Sequence, residues 1–160
     1  MKQSFRHQGF TLVELLVTIA IIAILAGILL PVVLKAFGKA NEAKVRTELK
    51  SIETAVKAYM NEYSKLPIAD AKQGGTDFAL TEAESKALIK IIAGENPRKI
   101  SFLESNNTDG TFQDPWDKQY LMWVDSNYDN QIITSGTNKY YTQVVVYSIG
   151  DGTNAYYSAK

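Results

Sequence analysis

Cysteine is absent from this chain of 160 residues, and histidine occurs once, at His7. The chain therefore has no disulfide bonds, no thiolate metal ligands and little capacity for histidine-based catalysis. It also lacks a nucleophile elbow, a His-Glu-x-x-His motif and a glycine-rich phosphate loop, so we expect no enzymatic activity. Its 17 basic and 17 acidic residues cancel, which leaves no strong net field to attract nucleic acid. We expect protein partners and no nucleic acid.

What the chain does contain is one long apolar run over residues 10–34, in which Glu14 is the single charged residue. As a helix these 25 residues rise roughly 37 Å, enough to cross a hydrocarbon core of about 30 Å. A short polar leader with Lys2 and Arg6 precedes the run. The apolar region of an ordinary signal peptide is shorter, so we interpret the run as a retained membrane anchor. Basic residues occur on both sides of it, so they do not determine its orientation.

Glu14 is costly in this position, because a carboxylate inside an apolar helix costs about 2.5 to 3.5 kcal/mol on insertion scales. The nearest basic side chain downstream, Lys35, is roughly 31 Å away along a helix. Phe10 precedes Glu14 by one helical turn, so an α-amino group freed at Phe10 would lie beside the carboxylate. The alternative is a carboxylate that reaches towards lipid headgroups from one end of the span.

The apolar run opens with the sequence Gly9-Phe-Thr-Leu-Val-Glu14. After a short basic leader, this sequence resembles the class III signal of type IV pilins and of the pseudopilins of type II secretion. The resemblance implies that a prepilin peptidase cleaves after Gly9 on the cytoplasmic side and methylates Phe10. It implies a single-pass inner-membrane protein with a periplasmic head, in contact with membrane lipid before assembly. It also implies that Phe10 and Glu14 are assembly residues, with Glu14 pairing with the new N-terminus of its own chain or of the adjacent subunit.

Beyond the apolar run, the heptad-like spacing of apolar residues predicts that the same helix continues to about residue 64. Pro67 ends it, and Pro31 and Gly38 are predicted bend or melting points. The apolar positions form one stripe that we expect to pack against a sheet rather than to form a coiled-coil seam. They are Val45, Leu49, Ile52, Val56, Tyr59, Tyr63 and Leu66.

The remaining residues predict a small α+β head with an antiparallel sheet laid on the long helix. Thr81 and Glu84 form a capping-box pattern that opens a second helix, and residues 65–80 read as a connecting loop. Strands are predicted at residues 99–103, 119–125, 131–134 and 140–149. The predicted organisation is a leader at 1–9, a transmembrane half-helix at 10–34, an amphipathic half-helix at 35–64 and a globular head at 65–160.

Two short motifs in the head narrow the resemblance, namely Asp114-Pro-Trp116 and Ser148-Ile-Gly-Asp-Gly152. In their order along the chain, these motifs are similar to those of the major pseudopilin of type II secretion. Asp117 and Gln119 depart from that family's usual glycine and proline. The resemblance implies a homo-oligomeric helical filament, a pseudopilus that drives export across the outer membrane, with an inner-membrane assembly platform and minor pseudopilins as partners.

Two other functions stay open. One is a surface type IV pilin for adhesion, motility or DNA uptake, although many such pilins close a C-terminal loop with a disulfide that this chain lacks. The other is a membrane-anchored periplasmic binding module. Its contacts would be aromatic side chains, although such residues more often belong to a sheet core. They are Trp116, Trp123, Tyr156 and Tyr157.

Calcium is the candidate cofactor, and none is required by the sequence. Asp125, Asn127 and Asp129 have the spacing of positions 1, 3 and 5 of a calcium loop. Position 12, normally a bidentate glutamate, is Gly136, and the segment also fits a plain hairpin turn. Asp151 is a second candidate through the family resemblance, although the acidic loop that follows it in the family is replaced here.

Overall fold

The computed structural model describes residues 10–104, 110–134 and 138–159. The chain divides into two compact units, residues 1–40 and 41–160. Helix α1 spans Leu12–Tyr63 and confirms the long helix predicted from the apolar pattern. It remains helical through Pro31 and Gly38, so the predicted melting points are not present. The predicted leader at residues 1–9 lies outside the described residues.

In the first unit, α1 presents an apolar surface on all sides. The large apolar side chains between Leu12 and Leu34 are 43% to 78% exposed. Among the described residues, α1 is the single helix long and apolar enough to cross a membrane. A helix that is apolar all round is stable only when lipid or other protein covers it. This part of α1 therefore needs a membrane or a protein assembly around it.

The second unit contains a four-stranded antiparallel sheet with strand order β1-β2-β5-β6. Its strands are β1 (Phe78–Ala79), β2 (Leu121–Val124), β5 (Val144–Ser148) and β6 (Tyr156–Tyr157). A separate hairpin pairs β3 (Ile132–Ile133) with β4 (Lys139–Tyr140). The alternation of buried and half-buried residues in β2 places one of its faces against the main core.

Helix α2 spans Glu82–Ile92 and begins with the predicted capping box. Thr81 Oγ1 accepts from the Glu84 amide at 3.3 Å, and the Glu84 carboxylate accepts from the Thr81 amide at 2.9 Å. Lys72 also donates to Glu84. The Lys72 hydrogen bond, followed by those from Thr81, lowers the pKa of Glu84 to about 2. The first turn of α2 is thus held by an ionised carboxylate at all but strongly acidic pH.

From here on, the head means the second unit, residues 41–160, which includes the second half of α1. Its main core lies between that half of α1, α2 and one face of the sheet. The predicted stripe is confirmed, since its residues from Val45 to Tyr59 and Leu66 are buried and Tyr63 is half-buried. Tyr120, directly before β2, is fully buried and donates from its hydroxyl to Glu48 Oε2 at 2.6 Å. Burial, together with this bond, raises the pKa of Tyr120. The bond ties the sheet to α1 within the head.

Two strand predictions and one loop prediction were wrong. Residues 99–103 do not form a strand, because Lys99 has φ of 53° and the Asn96 side chain bonds to the backbone of Ile100. The predicted strand 140–149 is two strands, β4 and β5, separated by residues 141–143. Strand β1 lies inside the segment that we predicted to be a loop, and it pairs with β2.

Candidate assembly site

The N-terminus of α1 is a second capping box, formed by Thr11 and Glu14. The Glu14 Oε2 atom accepts from the Thr11 amide at 2.8 Å and from the Thr11 hydroxyl at 2.7 Å. In return, Thr11 Oγ1 accepts from the Glu14 amide at 3.2 Å. Sequence analysis overlooked Thr11, although the Thr-x-x-Glu spacing that identified the start of α2 is also present here. The carboxylate is thus held at the positive end of the helix dipole.

Phe10 lies directly before this capping box and is 75% exposed. It is outside α1, so the one-turn relation between Phe10 and Glu14 that we expected for a continuous helix is not formed in the uncleaved chain. The Oε1 atom of Glu14 accepts no hydrogen bond from the part of the chain that the structure describes. That atom remains available to a cation. Gly9 lies outside the described residues.

A second polar centre, in the head, joins the two short motifs that were separate in sequence. Asp114 is 3% exposed, and its Oδ2 atom accepts from the Ser148 hydroxyl at 2.5 Å. Its Oδ1 atom accepts from the amides of Trp116 and Lys118 at 2.9 and 3.0 Å. Ser148 Oγ in turn accepts from the Gly150 amide at 2.9 Å. Asp114 therefore fixes the turn before β2 to the end of β5.

Gly150 has a position that only glycine fills without strain. Its φ is 62°, and a Cβ atom there would lie 2.4 Å from the Asn154 carbonyl oxygen. Gly150 belongs to the Ser148–Gly152 motif of the family resemblance, and the structure shows the physical reason why this position is a glycine. The turn after β5 is therefore built on close backbone contact.

Three of the candidate calcium ligands, Asp125, Asn127 and Asp129, lie in one loop and are joined by hydrogen bonds. Among the described residues, no group of three acidic or histidine side chains is arranged to hold a metal ion. Asp125 accepts from the amides of Asp129 and Asn130, and Asn127 Oδ1 accepts from the Asp129 amide at 2.9 Å. Asp129 accepts from the amide of Gln131. These bonds hold a tight turn within the loop, but the loop is not the hairpin turn considered from the sequence, because β2 and β3, which it joins, belong to different sheets.

Asp151 belongs to a different turn, where it accepts from the amides of Thr153 and Asn154. These two bonds lower the pKa of its carboxyl. Asp77, which sequence analysis missed, is the acidic side chain that does come close to Asp125 and Asp129. Burial raises the pKa of Asp77, and the charges of Asp125 and Asp129 raise it further.

The aromatic residues that we considered as binding contacts are partly packed in the head. Trp116 stacks on Tyr156 with ring centroids 5.8 Å apart, and Arg46 lies 5.6 Å from the centre of the Tyr156 ring. Trp123 packs against a small second core of Ile132, Tyr140 and Val145. Tyr157 is the most exposed of these four aromatic side chains, at 44%. These contacts support packing rather than a ligand platform.

Comparison with known proteins first identifies the class of protein to which this chain belongs. Residues 4–30 match the prokaryotic N-terminal methylation motif, which covers residues 4–9 of the leader, the capping box and much of the apolar run. Over 57 residues the chain is 40% identical to the type IV major pilin protein PilA of Myxococcus xanthus, a match that covers 36% of this chain and 26% of that pilin. No solved structure gave a significant match. The chain is a pilin-like protein with a prepilin N-terminus.

Longer matches define the family. The type II secretion system core protein G of Aeromonas hydrophila is 30% identical over 121 residues, which is 75% of each chain. The core protein G of Klebsiella pneumoniae is 29% identical over 117 residues, covering 73% of this chain and 74% of that protein. The chain belongs to the type II secretion system core protein G family and is a pseudopilin-type filament subunit.

Proposed function

We propose that this protein is the structural subunit of a type II secretion pseudopilus that drives protein export across the outer membrane. The observation that carries the proposal is the combination of the methylation motif with matches to core protein G over three quarters of the chain. In this proposal a prepilin peptidase cleaves after Gly9 and methylates Phe10. The subunit waits in the inner membrane with its head in the periplasm and is then polymerised by an assembly platform with minor pseudopilins. It has no enzymatic activity.

The N-terminal geometry supports this order of events. Cleavage after Gly9 creates an α-amino cation one residue before Thr11, next to the capping box that already holds Glu14. The Oε1 atom of Glu14, which accepts no hydrogen bond from the described residues, can bind that cation from the same chain or from a neighbouring subunit. In low dielectric, an ion pair with hydrogen bonds offsets the cost of burying each charge alone. Processing thereby supplies the counter-ion that an apolar assembly needs.

The processing step is tested by Gly9→Val. A branched side chain before the scissile bond obstructs the peptidase, so we expect an uncleaved chain that is heavier by the nine-residue leader and carries no N-terminal methyl group. Intact mass spectrometry of the membrane fraction measures both properties, with Gln3→Val as the control within the leader. A Gly9→Val chain of the same mass as the processed parent would contradict cleavage at this bond.

A surface pilus is the second candidate, favoured by the match to PilA and by 41% identity over 71 residues to the fimbrial protein EcpB of Eikenella corrodens. Deleting the gene separates the two functions. Loss of export of outer-membrane-crossing proteins supports the secretion pseudopilus. Loss of surface filaments with normal export supports the pilus instead.

We also propose that the head needs no calcium to fold, because backbone amides of the loop itself hydrogen-bond to the side-chain oxygens of Asp125, Asn127 and Asp129 and hold the turn. The midpoint of thermal unfolding of fragment 41–160 should differ by less than about 1 °C between millimolar calcium and excess chelator. Magnesium serves as the matched control. A rise of several degrees with calcium alone would establish a calcium site and overturn this proposal.

A further inference from the structure

Lys35 and Lys39 are the first charged side chains of α1 beyond its apolar run. Both are exposed and belong to the first compact unit. They are four residues apart, so they lie on one face of the helix, about 6 Å apart along its axis. The sequence has no acidic residue between Glu14 and Glu42. All the charge in this stretch of the helix is therefore positive.

The other basic side chains of α1 have carboxylate partners on their own helix. They are Lys44, Arg46, Lys50 and Lys57, paired with Glu48, Glu42 and Glu53. Within the part of the chain that the structure describes, neither Lys35 nor Lys39 has such a partner. The two cations next to the apolar run are thus the ones that α1 leaves without a counter-ion of its own.

The position of this pair along α1 matches the depth of lipid phosphates. Measured from Leu12, where α1 begins, Lys35 lies roughly 34 Å and Lys39 roughly 40 Å along the helix axis. A hydrocarbon core is about 30 Å thick, and the headgroup layers extend a bilayer to about 40–45 Å. A helix that enters at one edge of the core therefore brings both ammonium groups within reach of the opposite headgroup layer, because lysine side chains extend towards a polar layer.

The chemistry of the pair favours an anionic headgroup. Each ammonium group is a compact cation with three hydrogen-bond donors, which suits a phosphate oxygen. A zwitterionic headgroup already carries a cation beside its phosphate, whereas an anionic headgroup leaves a net negative charge for the two lysines. Phe37 lies between them in sequence and is 63% exposed, so its ring is available to the apolar part of the same lipid layer. In the proposed orientation the pair faces the periplasm, where basic residues are usually scarce after a span.

We propose that Lys35 and Lys39 bind the headgroup phosphates of anionic phospholipids at the membrane surface from which α1 continues to residue 41. The proposal rests on the membrane-anchored subunit of the proposed function. These contacts set the depth of the span and hold the subunit in the membrane before assembly. Polymerisation withdraws the pair from the headgroups, so the anionic lipid content of the membrane opposes it.

The test is the double variant Lys35→Gln with Lys39→Gln in the full chain, in vesicles of equal parts phosphatidylglycerol and phosphatidylcholine. Every chain also carries Phe37→Trp as a reporter, and Trp116 and Trp123 give each chain the same background. Bromine on the acyl chains of one lipid or the other quenches the reporter, and the comparison measures the local preference for the anionic lipid. Each basic residue near an anionic surface contributes a factor of about five, so the double variant should lose about tenfold or more of that preference.

Lys99→Gln with Lys139→Gln is the matched control, because these lysines are exposed, have no ion pair among the described residues and give the same change in net charge. The control should keep the preference of the parent chain. An equal loss in the control would overturn the inference, and so would a parent chain without any preference for the anionic lipid.

Inorganic phosphate, added at constant ionic strength, separates a lipid site from a site for free phosphate. We expect it to leave the lipid preference unchanged, whereas displacement of the anionic lipid would overturn the assignment to a headgroup. If neither brominated lipid quenches the reporter in any chain, α1 does not span the bilayer and the proposed function itself fails. Quenching without a lipid preference would overturn the inference alone.

Discussion

Glu14→Ala is expected to abolish filament assembly while the head stays as stable as in the parent chain. Glu14 is the single charge in residues 10–34 and is held by Thr11 at the start of α1. Without it, a processed chain would bring an unpaired amino cation into an apolar assembly, at a cost of about 2.5 to 3.5 kcal/mol for each subunit. Each subunit repeats this cost, so the filament and not the monomer should be lost.

The measurement is electron microscopy of filaments from cells that express equal amounts of the variant, with the unfolding midpoint of the head as a check on folding. The head core begins at Val45 and lies wholly in the second unit, so its midpoint should not change. Glu14→Gln is the matched variant, because it keeps a capping acceptor and removes the charge. Normal filaments from Glu14→Gln would show that capping, and not charge, is what assembly requires.

Asp114→Ala should lower the free energy of unfolding of the head by about 3 kcal/mol. The substitution removes the acceptor of three short hydrogen bonds and leaves the Ser148 hydroxyl and the amides of Trp116 and Lys118 without it. Asp114 and Ser148 are both buried, so water cannot readily replace the carboxylate. The two strands that this residue joins, β2 and β5, form the centre of the sheet.

Denaturant unfolding of fragment 41–160 measures the loss, since that unit contains all residues of the main core. Asp151→Ala is the control, because Asp151 also accepts two backbone amides in a turn but is exposed to solvent. It should cost less than about 1 kcal/mol. Equal losses from the two substitutions would show that burial does not decide the contribution of the Asp114 contacts.

Local patterns accounted for both helices. The stripe from Val45 to Leu66 has helical spacing, and its burial follows once any sheet covers that face. The capping box at Thr81 depends on residues three apart, so it can be recognised from sequence. The same Thr-x-x-Glu pattern is present at Thr11 and Glu14, where it lies at the start of the apolar run.

Strands were harder to predict because their pairing depends on distant residues. The two residues of β1 form a strand only because the edge of β2 is adjacent, and nothing in residues 65–80 indicates this partner. Residues 99–103 have apolar character but follow Asn96, whose side chain bonds to the Ile91 and Ile100 carbonyl oxygens and holds a turn. Tertiary contacts therefore decided both segments.

The sequence by itself determined how this protein is anchored and which family it resembles, because a membrane-length apolar run, one carboxylate and a preceding glycine are local features. Only the tertiary structure showed that Asp114 and Ser148 form one buried centre, that the proposed calcium oxygens are bonded within their own turns, and that the buried Gln119 amide has no hydrogen-bond partner among the described residues. Hydrogen-bond satisfaction is a property of three-dimensional neighbours, and residues far apart in the chain become neighbours only when the sheet folds onto α1.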